Sequence, residues 1–563
     1  MAYYASNPMP VMQASFTAVL RGEMGLHPSM PRDPRCVFAW APFSKLKDRG
    51  ALLRSSKNTM QCSSYYARSG LVHKDKLHAM LQGAGSQLAL PTVPIAVPAT
   101  PQEDDCKLAR PSTASTQSFD HDPRIRDSVD SAWLELSAAV EALGCADNSA
   151  TAAQSPSAAP VALECAVLKH SRTNNAFDVH IVTSPAETHR VLLQALARQA
   201  SGEAPAPVSG TWCLQQHCPR MLLVDGCKWT VRANMLCVGR LAVFLHEHVV
   251  CHVASVPLQP ISPAEGASPL PPPEQHITNH SVQHALPTYR RHLHTLLLSD
   301  LLEQASSGSR AFSCFNETIE PQSPLAQSGH PAGTTSDVEM PFVPSLPRAM
   351  ATLADALADT VQAVFQPGTA RWFMPTRNNF EVFGVDLMPC VTQCGDLAWR
   401  VLEVNEGPAL EALAMPPLNR DIVRDTVGCV TAAWINDLQH VEHTCGEGEH
   451  LNSAEHAPLS PRPAVEVTTG GEADPTACTL QRVKWSEQHS GGHGTGAASE
   501  PASGELPSKG AEGGWRLVAH LCQAAVPHTG NLTAILQDTA VTQSFKQHIS
   551  RIRGQLAADS KEH

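Results

Sequence analysis

Residues 379–390 read "NFEVFGVDLMPC" and residues 397–405 read "LAWRVLEVN". Both runs are rich in strand-forming residues, and the polar stretch "VTQCGD" between them marks a turn, so together they read as a hairpin. Side chains two apart on a strand share a face. Glu403 and Asn405 therefore project together, just before Gly407-Pro408 ends the run. Paired strands lie about 4.8 Å apart, which brings Asp386 within reach of both. A buried carboxylate without a partner is very costly, so these groups must satisfy one another at a sheet end or hold something. Two carboxylates and an amide oxygen suit Mg²⁺, which takes a few oxygen ligands from a protein and the remainder from water and phosphates. Spacing alone leaves both readings open.

The surrounding chain alternates strands with helices. "CAVLKHS" (165–171) and "FDVHIV" (177–182) read as two short strands, and residues 186–200 carry apolar side chains at helical spacing (Val191, Leu192, Ala195, Leu196). Residues 211–217, 228–239, 241–247 and 248–254 follow as strands. Residues 347–366 form an amphipathic helix with Met350, Leu353, Leu357, Val361 and Val364 on one side. Helices interleaved with antiparallel hairpins give an α+β core with antiparallel and mixed sheets.

The 563 residues leave room for several units, and Pro/Ser/Ala-rich stretches punctuate them. The expected layout is an N-terminal domain over 1–84, a disordered linker over 85–125 and a central subdomain over 126–256. A Pro-rich insertion (257–275), a nucleotide or substrate segment (276–303) and a disordered insertion (304–345) follow. A C-terminal subdomain carrying the metal site (346–440), a disordered insertion (441–514) and a helical segment (515–563) complete it. The stripe Phe545, Ile549, Ile552 and Leu556 suits a helix in that last segment. A net charge of −12 argues against a nucleic-acid binder. No apolar run approaches the roughly 18–20 residues of a membrane span. The 17 cysteines are scattered singly and no signal peptide leads the chain, so free thiols in a reducing, cytoplasmic setting are expected.

The hairpin resembles the metal-binding signature of the tubulin–tyrosine ligase family, which runs F-E-x-[FY]-G-x-D-[FL] and then LLEVN-x-x-P. "HITNHSVQ" (276–283) is similar to that family's H-[LI]-T-N-x-x-[IV]-Q block. "CLQQHCPRMLLVDGCKWTVRANMLCV" (213–238) is similar to its V-x-Q-[KR]-Y run followed by KFDIR, and "LVHKDKL" (71–77) to an N-terminal block. The blocks occur in family order over roughly residues 35–435. The resemblance implies an ATP-grasp fold that clamps ATP and activates a carboxylate as an acyl phosphate for attack by an amine. It implies Mg²⁺ on Asp386, Glu403 and Asn405, and phosphate contacts from Lys169, Lys228 and Arg232. Adenine would lie against Gln215, Gln216 and His217, and nucleotide or substrate against Thr278 and Asn279, with Arg232 and Asn279 in catalytic roles. The acceptor would be tubulin or another protein such as a histone, the co-substrate a free amino acid, and the protein a cytoplasmic monomer, cytoskeleton-associated where tubulin is the acceptor.

Three departures accompany the resemblance. The segment after Lys169, "SRTNNAFDVH" (171–180), has none of the glycines that let backbone amides approach phosphate, as in a divergent branch of the family. Thr230 stands where KFDIR has its Asp, and Glu247 and His252 stand where the family has arginines. These favour an alternative, a nucleotide-binding pseudo-ligase acting as a scaffold. Lys74 and Asp75, taken alone, read as surface charges.

Overall fold

A computed structural model describes most of residues 2–98, 123–149, 163–259, 272–315, 343–406 and 418–431, with short strands at 480–482 and 515–521. Two sheets organise these residues. In the larger, the central strand Cys227–Val238 pairs antiparallel with Ala242–His246, with Val250–Val253 and with the first hairpin strand, Asn379–Val391. The second hairpin strand, Leu397–Glu406, pairs antiparallel with the first. At the far side, Gln61–Ser63, Cys36–Trp40 and Ala2–Ala5 join in parallel, so the N-terminal region shares a sheet with the hairpin. The smaller sheet has the order Thr92–Val97, Gly210–Gln216, Ala166–His170, Val179–Val182. The fold is α+β with mixed sheets, and among the described residues no helix is long and apolar enough to cross a membrane.

Alternation along the central strand sorts its side chains. Trp229, Val231, Ala233 and Met235 face the core with Phe383, Val385 and Leu387 of the hairpin and Leu353, Leu357 and Val361 of helix Leu346–Val364. Its other face carries Lys228, Thr230 and Arg232. Ser345 caps the helix by accepting from the Arg348 amide, with Pro347 in its first turn. In the smaller sheet, Val93, Ile95, Leu168, Trp212 and Leu214 pack under helices Pro123–Ser149 and Pro185–Ala200. Trp133 donates to Thr188 at 2.9 Å between those helices. The second helix starts from a reciprocal cap, with Ser184 accepting from the Glu187 amide and Glu187 accepting from the Thr183 amide at 2.6 Å.

Several expectations are corrected. Thr92–Val97, assigned to a linker, is an edge strand paired with Gly210–Gln216. Pro94 is tolerated there because an edge strand leaves one row of amides unneeded. Phe312–Cys314, placed in an insertion, pairs with Leu222–Val224. Leu480–Arg482 and Trp515–Leu521 are strands that extend the larger sheet beside Ala242–His246. The stripe from Phe545 to Leu556 lies outside the described residues.

Candidate functional site

One row across three strands reads Arg232, Asp386, Glu403. Arg232 grips Asp386 with two N–H groups, the Nη2–Oδ2 distance being 2.7 Å. Asn405 donates to Asp386 at 3.1 Å and to Glu403 at 3.2 Å, joining the carboxylates. Gly384 makes room for this: a Cβ there would lie 2.8 Å from Arg232 Cδ.

A register shift opposite Asp386 and Leu387 leaves Leu402 between the paired residues Val401 and Glu403. Such a bulge reverses the alternation. Val401 and, beyond the bulge, Val404 face the core, and Glu403 and Asn405 turn to the opposite face beside Asp386. The Leu402 carbonyl accepts from Lys169 Nζ at 2.9 Å and contacts His78 Nε2 at 3.2 Å. Lys169 also donates to Gln215 Oε1 at 2.9 Å.

The helix Lys74–Gly83 packs behind these groups. Lys74 is 4% exposed, pairs with Glu403 at 3.0 Å and donates to the Thr173 carbonyl at 2.5 Å. It is a buried site residue and not the surface charge its local sequence suggests. His78, one turn on, is fully buried against Gln215 and Lys169. The one hint of Lys74 was the resemblance of "LVHKDKL" to a family block, and His78 lies just beyond that block.

These groups enclose a cleft with about 810 Å³ of empty space, its mouth included. Lys169, Gln215, Gln216, His217, Lys228, Thr278, Asn279, Asp386 and Glu403 all line it. Arg232 and Asn405 join through their bonds to Asp386. The residues that the resemblance assigns to metal, phosphate, adenine and substrate thus lie in or against one cleft. Thr230 and Thr278 share a hydrogen bond of 2.7 Å, so the residue that replaces the expected Asp has a structural partner. His252 lies across from Thr230 on the neighbouring strand. Burial, then the Arg232 charge, pulls its pKa down to about 3, leaving it neutral. Glu247 lies between strands Ala242–His246 and Val250–Val253 and does not line the cleft.

Electrostatics give the cleft its preference. Burial lowers Lys228 to about 8, and its ammonium has no hydrogen-bond or ion-pair partner among the described residues. Lys169 is likewise lowered by burial to about 8. Burial would raise Glu403, but Lys74 and then Lys169 outweigh it and bring the pKa to about 2. Burial raises Asp386 against the pull of Arg232. Burial brings His217 and His276 to about 3, and these neutral rings meet at 3.2 Å. His276 Nε2 is buried without a partner. Lys169 and Lys228 line the cleft while Lys74 and Arg232 pair with its two carboxylates, a cationic surplus that suits a polyanion. Two carboxylates and an amide also fit a hard cation once the cations release them. Among the described residues, no group of three or more His, Cys, Asp or Glu is arranged to hold a metal by itself.

No family model and no curated protein matches this chain. One similar solved structure is the C-terminal domain from K. lactis Pby1, described as an ATP-grasp enzyme interacting with the mRNA decapping enzyme Dcp2. The likeness covers 77% of this chain and 94% of that one, at 14% identity and a TM-score of 0.39.

Proposed function

We propose that the chain is an ATP- and Mg²⁺-dependent carboxylate–amine ligase of the tubulin–tyrosine ligase type, joining an amino acid to a protein acceptor. The observation that carries this is the cleft's charge pattern, an unpartnered buried Lys228 beside two cation-bound carboxylates on adjacent strands. Asp386, Glu403 and Asn405 would hold Mg²⁺. The metal would screen phosphate charge that otherwise repels an incoming carboxylate. Lys228 and Lys169 would neutralise phosphate oxygens, and Lys74 and Arg232, now paired with Glu403 and Asp386, would turn to the same oxygens. Such an exchange keeps each buried charge matched, which a low-dielectric site requires. The neutral pair His217–His276 and Gln215 supply hydrogen-bonding groups for an uncharged ring. Asn279 at the cleft wall would orient the acceptor or amino acid.

A nucleotide-binding scaffold without turnover is the second reading. It is favoured by the existing pairing of both carboxylates, since a site that never exchanges its ion pairs binds ligand but does no chemistry. Incubation of the chain with ATP, Mg²⁺, labelled amino acids and tubulin or histones separates the two. Acceptor-dependent ADP release with label on the protein supports the ligase. ATP binding without either supports the scaffold.

A further inference from the structure

Cys218 and Cys390 meet where the two sheets join. Cys218 follows the small-sheet strand Gly210–Gln216 and lines the cleft, and Cys390 lies on the first hairpin strand that carries Asp386. Their Sγ atoms are 3.1 Å apart, and both side chains are buried in a patch with Leu90, Met221, Leu223 and Met388. The backbone fixes this approach: Met221 bridges to Cys390, and the Val391 amide donates to the Arg220 carbonyl at 3.0 Å. Closing to a bonded S–S distance of about 2.05 Å takes a movement of only about 1 Å.

We propose that Cys218 and Cys390 are an oxidative modification site, a dithiol that peroxide converts to a disulfide locking the junction of the two sheets. This does not depend on what the cleft binds. The Cys218 sulfur, reached through the cleft it lines, attacks one peroxide oxygen. The S–O bond forms, the O–O bond breaks, and hydroxide leaves. The Cys390 sulfur then attacks Cys218, the S–S bond forms and the S–O bond breaks. The second hydroxide takes the Cys390 proton, and the hydroxide released first takes the Cys218 proton. One hydrogen peroxide is reduced to two waters as two thiols are oxidised to one disulfide. The roles follow the geometry. Cys218 lines the cleft and is the sulfur that peroxide reaches, and Cys390, which does not line it, is the resolving partner.

The test treats the full chain with hydrogen peroxide, quenches free thiols with a mass-tagged alkylator, and maps peptides by mass spectrometry. The expected result is one crosslinked pair containing Cys218 and Cys390, lighter by about 2 Da for the two hydrogens lost. Amide exchange over residues 216–221 should slow in parallel. Cys218→Ser and Cys390→Ser should each abolish the crosslink, and Cys314→Ser, removing an exposed thiol, should leave it intact. Oxidation of Cys218 or Cys390 to sulfinic acid without crosslinking would overturn the proposal. So would pairing of either with Cys314 or Cys165, or reaction at Cys314 with both left as thiols. The wild-type mapping decides the matter even if a serine variant fails to fold.

Discussion

Lys228→Met separates binding from stability. Burial holds the Lys228 amine at about 8 against 10.5 for an exposed lysine. At about 1.36 kcal/mol per unit, the folded chain gives up about 3 kcal/mol by keeping this ammonium buried at neutral pH. The folded pKa lies below the unfolded one, so the unfolded chain binds more protons between them. The cost is therefore full below pH 8 and fades as pH climbs from about 8 towards 10.5. Methionine fills similar space without charge, so the variant should melt several degrees higher than wild type at pH 7, with the gap narrowing by pH 10. A charge-assisted hydrogen bond contributes about 1.5–3 kcal/mol, so ATP affinity should fall about ten- to hundred-fold. Scanning calorimetry at two pH values and titration calorimetry with ATP measure both. A lower melting temperature with unchanged ATP affinity would show that Lys228 is a structural residue and refute the reasoning.

Glu403→Gln should weaken Mg²⁺-dependent ATP binding at least about tenfold, as titration with and without Mg²⁺ would show. Its amide oxygen can still accept from Lys74, so stability should fall by only about 1–3 kcal/mol. Glu381 is held up at about 7 by burial against the pull of Arg68, so the stability it contributes is full below pH 4.5 and lost as pH rises through 7. Glu381→Gln should flatten the melting temperature between those limits, and an unchanged slope would contradict the assignment. Thr230→Val removes one partner of a buried 2.7 Å hydrogen bond. It should destabilise by about 1–3 kcal/mol, read by urea unfolding.

The hairpin and its row of polar residues were legible because alternation is a local property: Phe383, Val385 and Leu387 against Asp386 needed no tertiary context. The bulge at Leu402 was only half visible. The adjacent apolar pair Val401-Leu402 breaks the alternation, yet only the register shows the Leu402 carbonyl turned towards Lys169. Lys74 was hidden for a different reason. A lysine opening a helix reads as solvated, and its burial comes from Glu403 and Thr173, both distant in sequence. Thr92–Val97 was masked by proline, which signals a loop everywhere except at a sheet edge. The approach of Cys218 to Cys390 left no trace in the cysteine spacing, because a bridge between two strands brings them together.

Titration calorimetry of the full chain with ATP, with and without Mg²⁺, tests the central reading most directly. A cleft with surplus positive charge and two exchangeable carboxylates should bind ATP, and Mg²⁺ should tighten that binding in wild type but not in Glu403→Gln. ATP binding that is absent, or equally tight with and without Mg²⁺, would contradict the nucleotide–metal site and leave Asp386, Glu403 and Asn405 as a polar cluster closed by Arg232 and Lys74.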